Sequence, residues 1–129
     1  MTGALLDTSV VIASGLDSGQ IPSSSSISIV TIGELHAGVR LARSERTRQL
    51  RRHRLEDVRR LFVPLPIDED VAESYGEVLA FARNSGRIVK ATDLFIIATA
   101  AAFRRALFTL DHAQGALASE FGLTVSVAQ

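Results

Sequence analysis

At 129 residues the chain is about one ordinary domain in length, read as a single domain spanning 1–129 with no room for a separate substrate domain. Apolar residues make up 47% and charged residues 22%, a globular balance; with no cysteine, disulfides and thiolate metal sites are excluded, and a metal is left to oxygen donors or the three histidines. The zero net charge hides an uneven layout, because Arg40 to Arg60 holds nine arginines against Glu45, Glu56 and Asp57, a local +6 balanced by −6 elsewhere.

Met1 to Asp7 carries no basic leader, and the longest apolar run, Leu94 to Phe103, is far short of the ~20 residues that cross a bilayer, so a cytoplasmic protein without a membrane span is expected. Ala4 to Leu6 reads as a buried strand ending at Asp7, followed by a short helix from about Ser9 to Leu16 and a turn over Asp17 to Pro22. Ser23 to Ser26 leads into Ile27-Ser28-Ile29-Val30, where alternation and β-branching predict a second strand. Helices follow over about Thr31 to Ala42 and Ser44 to Phe62; two prolines confine any strand in Val63 to Ile67 to a short edge piece. A helix begins at Asp68 and ends near Asn84 to Gly86, and Ala91 to Arg105 is apolar on nearly every side, as a buried helix is. Leu107 to Thr109 is a strand, His112 to Phe121 a helix, and Leu123 to Val127 a last strand. Apolar strands alternating with helices imply an α/β fold, with a central parallel sheet of four to five strands covered by helices on both faces.

In such open sheets the functional crevice lies beyond the carboxyl ends of the strands. Asp7 follows the first strand, Glu34 falls in the first turn after the second, Asp93 opens the buried helix and Asp111 follows the fourth strand. Taken singly, each reads as a helix cap, favoured by unpaired backbone donors and the macrodipole. Thr31-Ile-Gly-Glu34 even matches a capping box, and Asp68, Glu69, Asp70 and Glu73 are read as first-turn acids and nothing more. Together, four carboxylates in a poorly solvated cleft repel one another and cannot all ionise without a cation. A hard divalent ion resolves that conflict and suits phosphodiester hydrolysis. His36, His53 and His112 have no matching serine or cysteine constellation for nucleophilic catalysis, and no Gly-rich phosphate loop occurs. His112 reads as a surface residue at a helix start.

The segments Leu5-Leu6-Asp7-Thr8-Ser9, Val30-Thr31-Ile32-Gly33-Glu34-Leu35, Ala91-Thr92-Asp93-Leu94-Phe95-Ile96-Ile97-Ala98-Thr99-Ala100 and Phe108-Thr109-Leu110-Asp111 resemble, in order and spacing, the motifs of PIN-domain ribonucleases, specifically the VapC toxins of toxin–antitoxin pairs. The resemblance extends over essentially the whole chain. It implies a parallel-sheet PIN fold, endoribonuclease activity dependent on Mg2+ or Mn2+, a homodimer, and a cognate VapB-type antitoxin. It also implies that Asp7 and Asp93 hold the metal while Glu34 and Asp111 complete the catalytic set. Thr8, Ser9 and Thr109 fall on small hydroxyl positions that would bond a ligand carboxylate or a phosphate. Departures are Thr92, where asparagine is frequent, and His112-Ala113, where an acid and an aromatic often follow the fourth carboxylate.

The arginine-rich stretch has three readings. It is a solvated helix in which Arg52, Glu56 and Arg60 pair at i, i+4 spacing over a buried stripe of Leu55, Val58 and Phe62; or Arg40, Arg43, Arg46, Arg48, Arg51 and Arg52 contact RNA phosphates; or it is a dimer or protein-partner surface. Two functions other than nuclease stay open: a PIN-like domain that binds RNA or protein without cutting, and a phospho-accepting receiver. A receiver needs an acid pair after the first strand and a lysine after a late one, whereas Asp7 stands alone and Lys90 precedes a helix.

Overall fold

The structure is a computed structural model that describes residues 3–13 and 21–127. In chain order it comprises β1 (Ala4–Leu6), α1 (Thr8–Ala13), β2 (Ile27–Ser28), α2 (Ile29–Leu41), α3 (Glu45–Leu61), β3 (Pro64–Leu65), α4 (Glu69–Asn84), α5 (Ala91–Ala102), β4 (Ala106–Thr109), α6 (His112–Phe121) and β5 (Val125–Val127). The expected end of the first helix at Leu16, and all of the Asp17 to Pro22 turn except its last two residues, lie outside the described residues.

All strand pairs are parallel, as expected for this class. Rather than one continuous ladder, they form a three-stranded sheet ordered β1-β4-β5 and a two-stranded sheet β2-β3. One parallel bridge, Leu5 with Ser26, joins them, through Leu6 N donating to Ser26 O at 2.8 Å and Ser26 N to Ala4 O at 2.9 Å. The strands thus run outward from β1 in both directions, and the chain switches sides between β3 and β4. That places the topological switch at β1 and β4, whose carboxyl ends carry Asp7 and Asp111.

Strand alternation sends successive side chains to opposite faces. Leu5 and Leu107 enter a core shared with α4, α5 and α6, while Leu6 and Phe108 enter one shared with α1, α2 and α3. Helices therefore cover both faces, and each fully buried leucine contributes roughly 1.5–3 kcal/mol of transfer free energy. Helix α5 is buried from Ile96 to Ala100, which explains its apolar circumference, and Phe95 stacks on Tyr75 of α4 at 4.1 Å. None of the described helices is long and apolar enough to cross a membrane.

Local chemistry moves several boundaries. Ile29 and Val30 are helical, not strand, because Ser28 caps α2 with its Oγ accepting from Val30 N at 3.0 Å. Helix α5 stops at Ala102, since Arg104 turns left-handed (φ 55°) and Arg105 N reaches back to Ala100 O. The last strand starts at Val125, because Gly122 ends α6 at φ 117° and Leu123 N still bonds Ala118 O, a turn that glycine enters without a Cβ penalty. Leu55, Val58 and Phe62 do form the inner stripe of α3, but the helix pairs its charges as Arg48–Glu45 and Arg60–Asp57, not along Arg52, Glu56 and Arg60.

Candidate active site

The register Leu6 with Phe108 brings the ends of β1 and β4 level, so the residues just beyond them meet. Asp7 is 5% exposed and accepts three hydrogen bonds: Thr8 N on Oδ1 at 2.9 Å, and the hydroxyls of Ser9 (2.9 Å) and Thr109 (2.7 Å) on Oδ2. Each hydroxyl is itself held by a backbone donor, Leu110 N on Ser9 Oγ at 3.1 Å and Asp111 N on Thr109 Oγ1 at 3.0 Å. The rotamers of both side chains are thereby set from two directions, and the carboxylate is locked in orientation.

Thr8 links Asp7 to the second acid by donating its hydroxyl to Glu34 Oε1 at 2.6 Å. With that proton spent, the 2.8 Å contact between Thr8 and Thr31 hydroxyls has Thr31 as donor. Both ends of the expected capping box are therefore engaged elsewhere: Thr31 is buried against α1, and Glu34, set in the second turn of α2 rather than the first, faces the start of α1.

Asp111 is the N-cap of α6, its Oδ1 accepting from Gln114 N at 3.1 Å, while Asp93 is the third residue of α5. Gln114, 4% exposed, joins them: its Nε2 donates to Asp93 O at 2.9 Å. Asp111-His-Ala-Gln114 has capping-box spacing, the one sequence signal that singles out this glutamine. Its side chain crosses to α5 because Asp111 N is already satisfied by Thr109.

Burial pushes the Asp93 carboxyl above its usual value; the nearby Lys90 cation opposes the shift, and the charges of Asp7, Glu34 and Asp111 add to it. One hydrogen-bonded chain thus runs from Glu34 through Thr8, Asp7, Thr109, Asp111 and Gln114 to Asp93, in a shared electrostatic environment. The oxygen-only donor set suits a hard cation, although among the described residues no three His, Asp or Glu side chains form a ready-made metal cage.

Two cavities flank the acids. One of about 410 Å³ is lined by Arg87, Lys90, Asp93, Asp111 and Gln114 among others. The other, about 400 Å³, has Glu34 at an otherwise apolar and basic wall of Ile12, Leu35, Leu50, Arg51 and Arg54. Of the arginines named above, Arg48 donates to Ala42 O and Arg51 to Gly38 O, so both tether α3 to α2. Arg40, Arg43, Arg46 and Arg52 are exposed, as are His36, His53 and His112.

Residues 4–119 match the family model of the PIN domain. Among characterised proteins the chain is similar to Ribonuclease VapC5 of Mycobacterium tuberculosis (strain ATCC 25618 / H37Rv), 38% identical over 88% of this chain and 86% of that protein. It is also similar to Toxin FitB of Neisseria gonorrhoeae, 35% identical over 57% of this chain and 55% of that one. Among solved structures, the VapBC-5 toxin–antitoxin member from Mycobacterium tuberculosis superposes with a TM-score of 0.83 at 32% identity, covering 100% of this chain and 99% of that one. FitAcB from Neisseria gonorrhoeae gives 0.74 at 28% identity, covering 95% of each chain.

Proposed function

Because the chain belongs to the PIN-domain family, in its VapC branch, we propose that it is a metal-dependent endoribonuclease, the toxin of a type II toxin–antitoxin pair. The observation that carries the reading is the gathering of the four acids beyond the strand ends: Thr8 joins Asp7 to Glu34, Thr109 and Gln114 run on to Asp111 and the Asp93 backbone carbonyl, and the Asp93 carboxyl feels the charges of the other three. We read residues 1–129 as one such domain, acting in the cytoplasm as a homodimer and restrained by a VapB-type antitoxin. The likeness to VapBC-5, a member of a family of toxin–antitoxin systems, supports an antitoxin partner for this chain as well.

Asp7 and Asp93 are the proposed ligands of a Mg2+ or Mn2+ ion. A carboxylate offers about four acceptor positions; three on Asp7 are filled, leaving one on Oδ1 for a cation. Such an ion supplies charge neutralisation among the carboxylates and at the phosphodiester, and acidifies water. Glu34, anchored through Oε1 to Thr8, keeps Oε2 to orient the attacking water and take its proton, and Asp111 completes the set from α6. Thr8, Ser9 and Thr109 act by holding the acids. The exposed Arg40, Arg43, Arg46 and Arg52 extend the proposed RNA path along α2 and α3, while Arg48 and Arg51 serve it mainly by fixing the helix pair.

The test is antitoxin-free protein incubated with total cellular RNA and Mg2+ or Mn2+, with chelator, Asp7→Asn and Asp93→Asn controls. Cleavage that needs the metal and both acids supports the assignment. Cleavage that survives both substitutions refutes it, and no cleavage across several RNA classes leaves a PIN-like binding domain.

A further inference from the structure

The segment Arg87-Ile88-Val89-Lys90 joins α4 to α5 and contains the chain's single lysine, outside the arginine-rich stretch. Arg87 has its charge offset by Glu120, at 2.5 Å, and a second contact to Ser85 Oγ at 3.4 Å. Lys90 differs. It is exposed, makes no side-chain cap bond to the helix it starts, and takes part in none of the ion pairs among the described residues.

Both cations line the same cavity as Asp93 and Asp111, and its volume of about 410 Å³ is of the size that holds a small ligand. A phosphate entering there meets the repulsion of Asp93 and Asp111, which a cation held by the proposed ligands would offset at the scissile group. The neighbouring phosphate of the same strand needs a cation of its own, and an unpaired lysine is a compact, mobile point charge suited to it.

We propose that this cavity is a phosphate-binding subsite for the RNA backbone phosphate adjacent to the cleaved one, with Lys90 as its anchor and Arg87 as a fixed wall. The inference rests on the ribonuclease reading for the identity of the strand. Its physical basis is the cavity lining and the absence of Lys90 from the ion pairs among the described residues; the charge of Lys90 also opposes the effect of burial on Asp93. The arginine-rich face lies toward the other cavity, through Arg51 and Arg54, so a strand crossing the acids meets positive charge on both sides.

The test measures binding of a labelled single-stranded RNA oligonucleotide to the Asp7→Asn protein, and steady-state cleavage by the protein with Asp7 intact, each with Lys90→Ala, Lys90→Arg and Arg87→Ala. Lys90→Ala is expected to weaken binding roughly 5–20-fold, to raise KM with kcat held, and to lower the salt-dependence slope by about 0.7, the value for one phosphate of a single strand. Lys90→Arg restores most of the affinity, and Arg87→Ala has a smaller effect than Lys90→Ala. Unchanged binding and salt slope in Lys90→Ala, or a fall in kcat at constant KM, overturns the subsite. If the intact protein cuts none of several RNA classes yet binding depends on Lys90, the cavity holds an RNA phosphate but not one beside a cleaved bond, and the nuclease reading falls. If it cuts RNA and Lys90→Ala changes nothing, the subsite falls and the nuclease reading stands.

Discussion

Replacing Thr109 by valine isolates the hydroxyl that connects β4 to Asp7. The residue is fully buried, so valine fills nearly the same space and leaves no cavity. What disappears is one bond to a buried carboxylate (2.7 Å), worth about 1.5–3 kcal/mol, and one from Asp111 N (3.0 Å), worth about 0.5–1.5 kcal/mol. The expected loss is about 2–4 kcal/mol of stability, or roughly 8–15 °C in Tm for a chain of this length. Activity should fall about 10–100-fold, because Asp7 Oδ2 keeps only Ser9 and rotates. Thr109→Ser, which keeps the hydroxyl, should recover most of both. Urea unfolding and cleavage of a defined RNA measure the two effects on the same preparations. Wild-type stability and turnover in Thr109→Val would refute the reasoning; a Thr109→Ser as impaired as Thr109→Val would show that the hydroxyl does not act alone and that the methyl group beside Gly115 is needed with it.

Burial raises the pKa of Asp93, against the opposing Lys90 and with the help of the neighbouring acids, so the folded chain keeps this proton to higher pH than the unfolded one. Stability therefore declines as pH rises from the unfolded value of 3.8 through the folded one, and the ionised carboxylate is a cost at neutral pH. Without metal, Asp93→Asn should melt above the parent at pH 7, with the gap closing as pH is lowered; a lower melting temperature at pH 7 contradicts this. Mg2+ or Mn2+ should raise the parent's Tm, by about 2.7 kcal/mol of stabilisation at one hundred times Kd, and leave Asp93→Asn nearly unmoved in a thermal-shift titration. Equal shifts in both proteins would remove Asp93 from the proposed ligands. Gly115→Ala places a Cβ 2.8 Å from Val127 Cγ2 and 3.3 Å from Val125 Cγ1, so α6 must lift from β5. We expect about 1–3 kcal/mol of destabilisation by denaturant unfolding, and an unchanged midpoint would show that the strand yields instead.

Features settled within a few residues were legible in the sequence. Apolar runs and their breaks located β1 ending at Leu6 and α6 over His112 to Phe121, and the side chains of Asp68 and Asp111 cap the helices that follow them, as local donor chemistry requires. The same locality misled at Ile29-Val30, where β-branching favoured a strand but Ser28 had the geometry to start a helix. With the helix two residues longer at its start, Glu34 moved into the second turn and away from Thr31. Whether Thr31 bonds Glu34 or Thr8, and whether Gln114 bonds back to its own cap or across to Asp93, depends on groups 21 to 23 residues distant. Asp7 and Thr109 lie 102 residues apart and meet because the parallel register sets Leu6 opposite Phe108. The four acids, and the places of Asp7, Asp93 and Asp111 at element ends, were thus determined by the sequence alone. Their hydrogen-bonded connection, the use of Arg48 and Arg51 as tethers, and the place of Lys90 in the wall of the Asp93 cavity were decided only by the tertiary structure, since a polar side chain pairs with whichever donor or acceptor packing brings within about 3 Å.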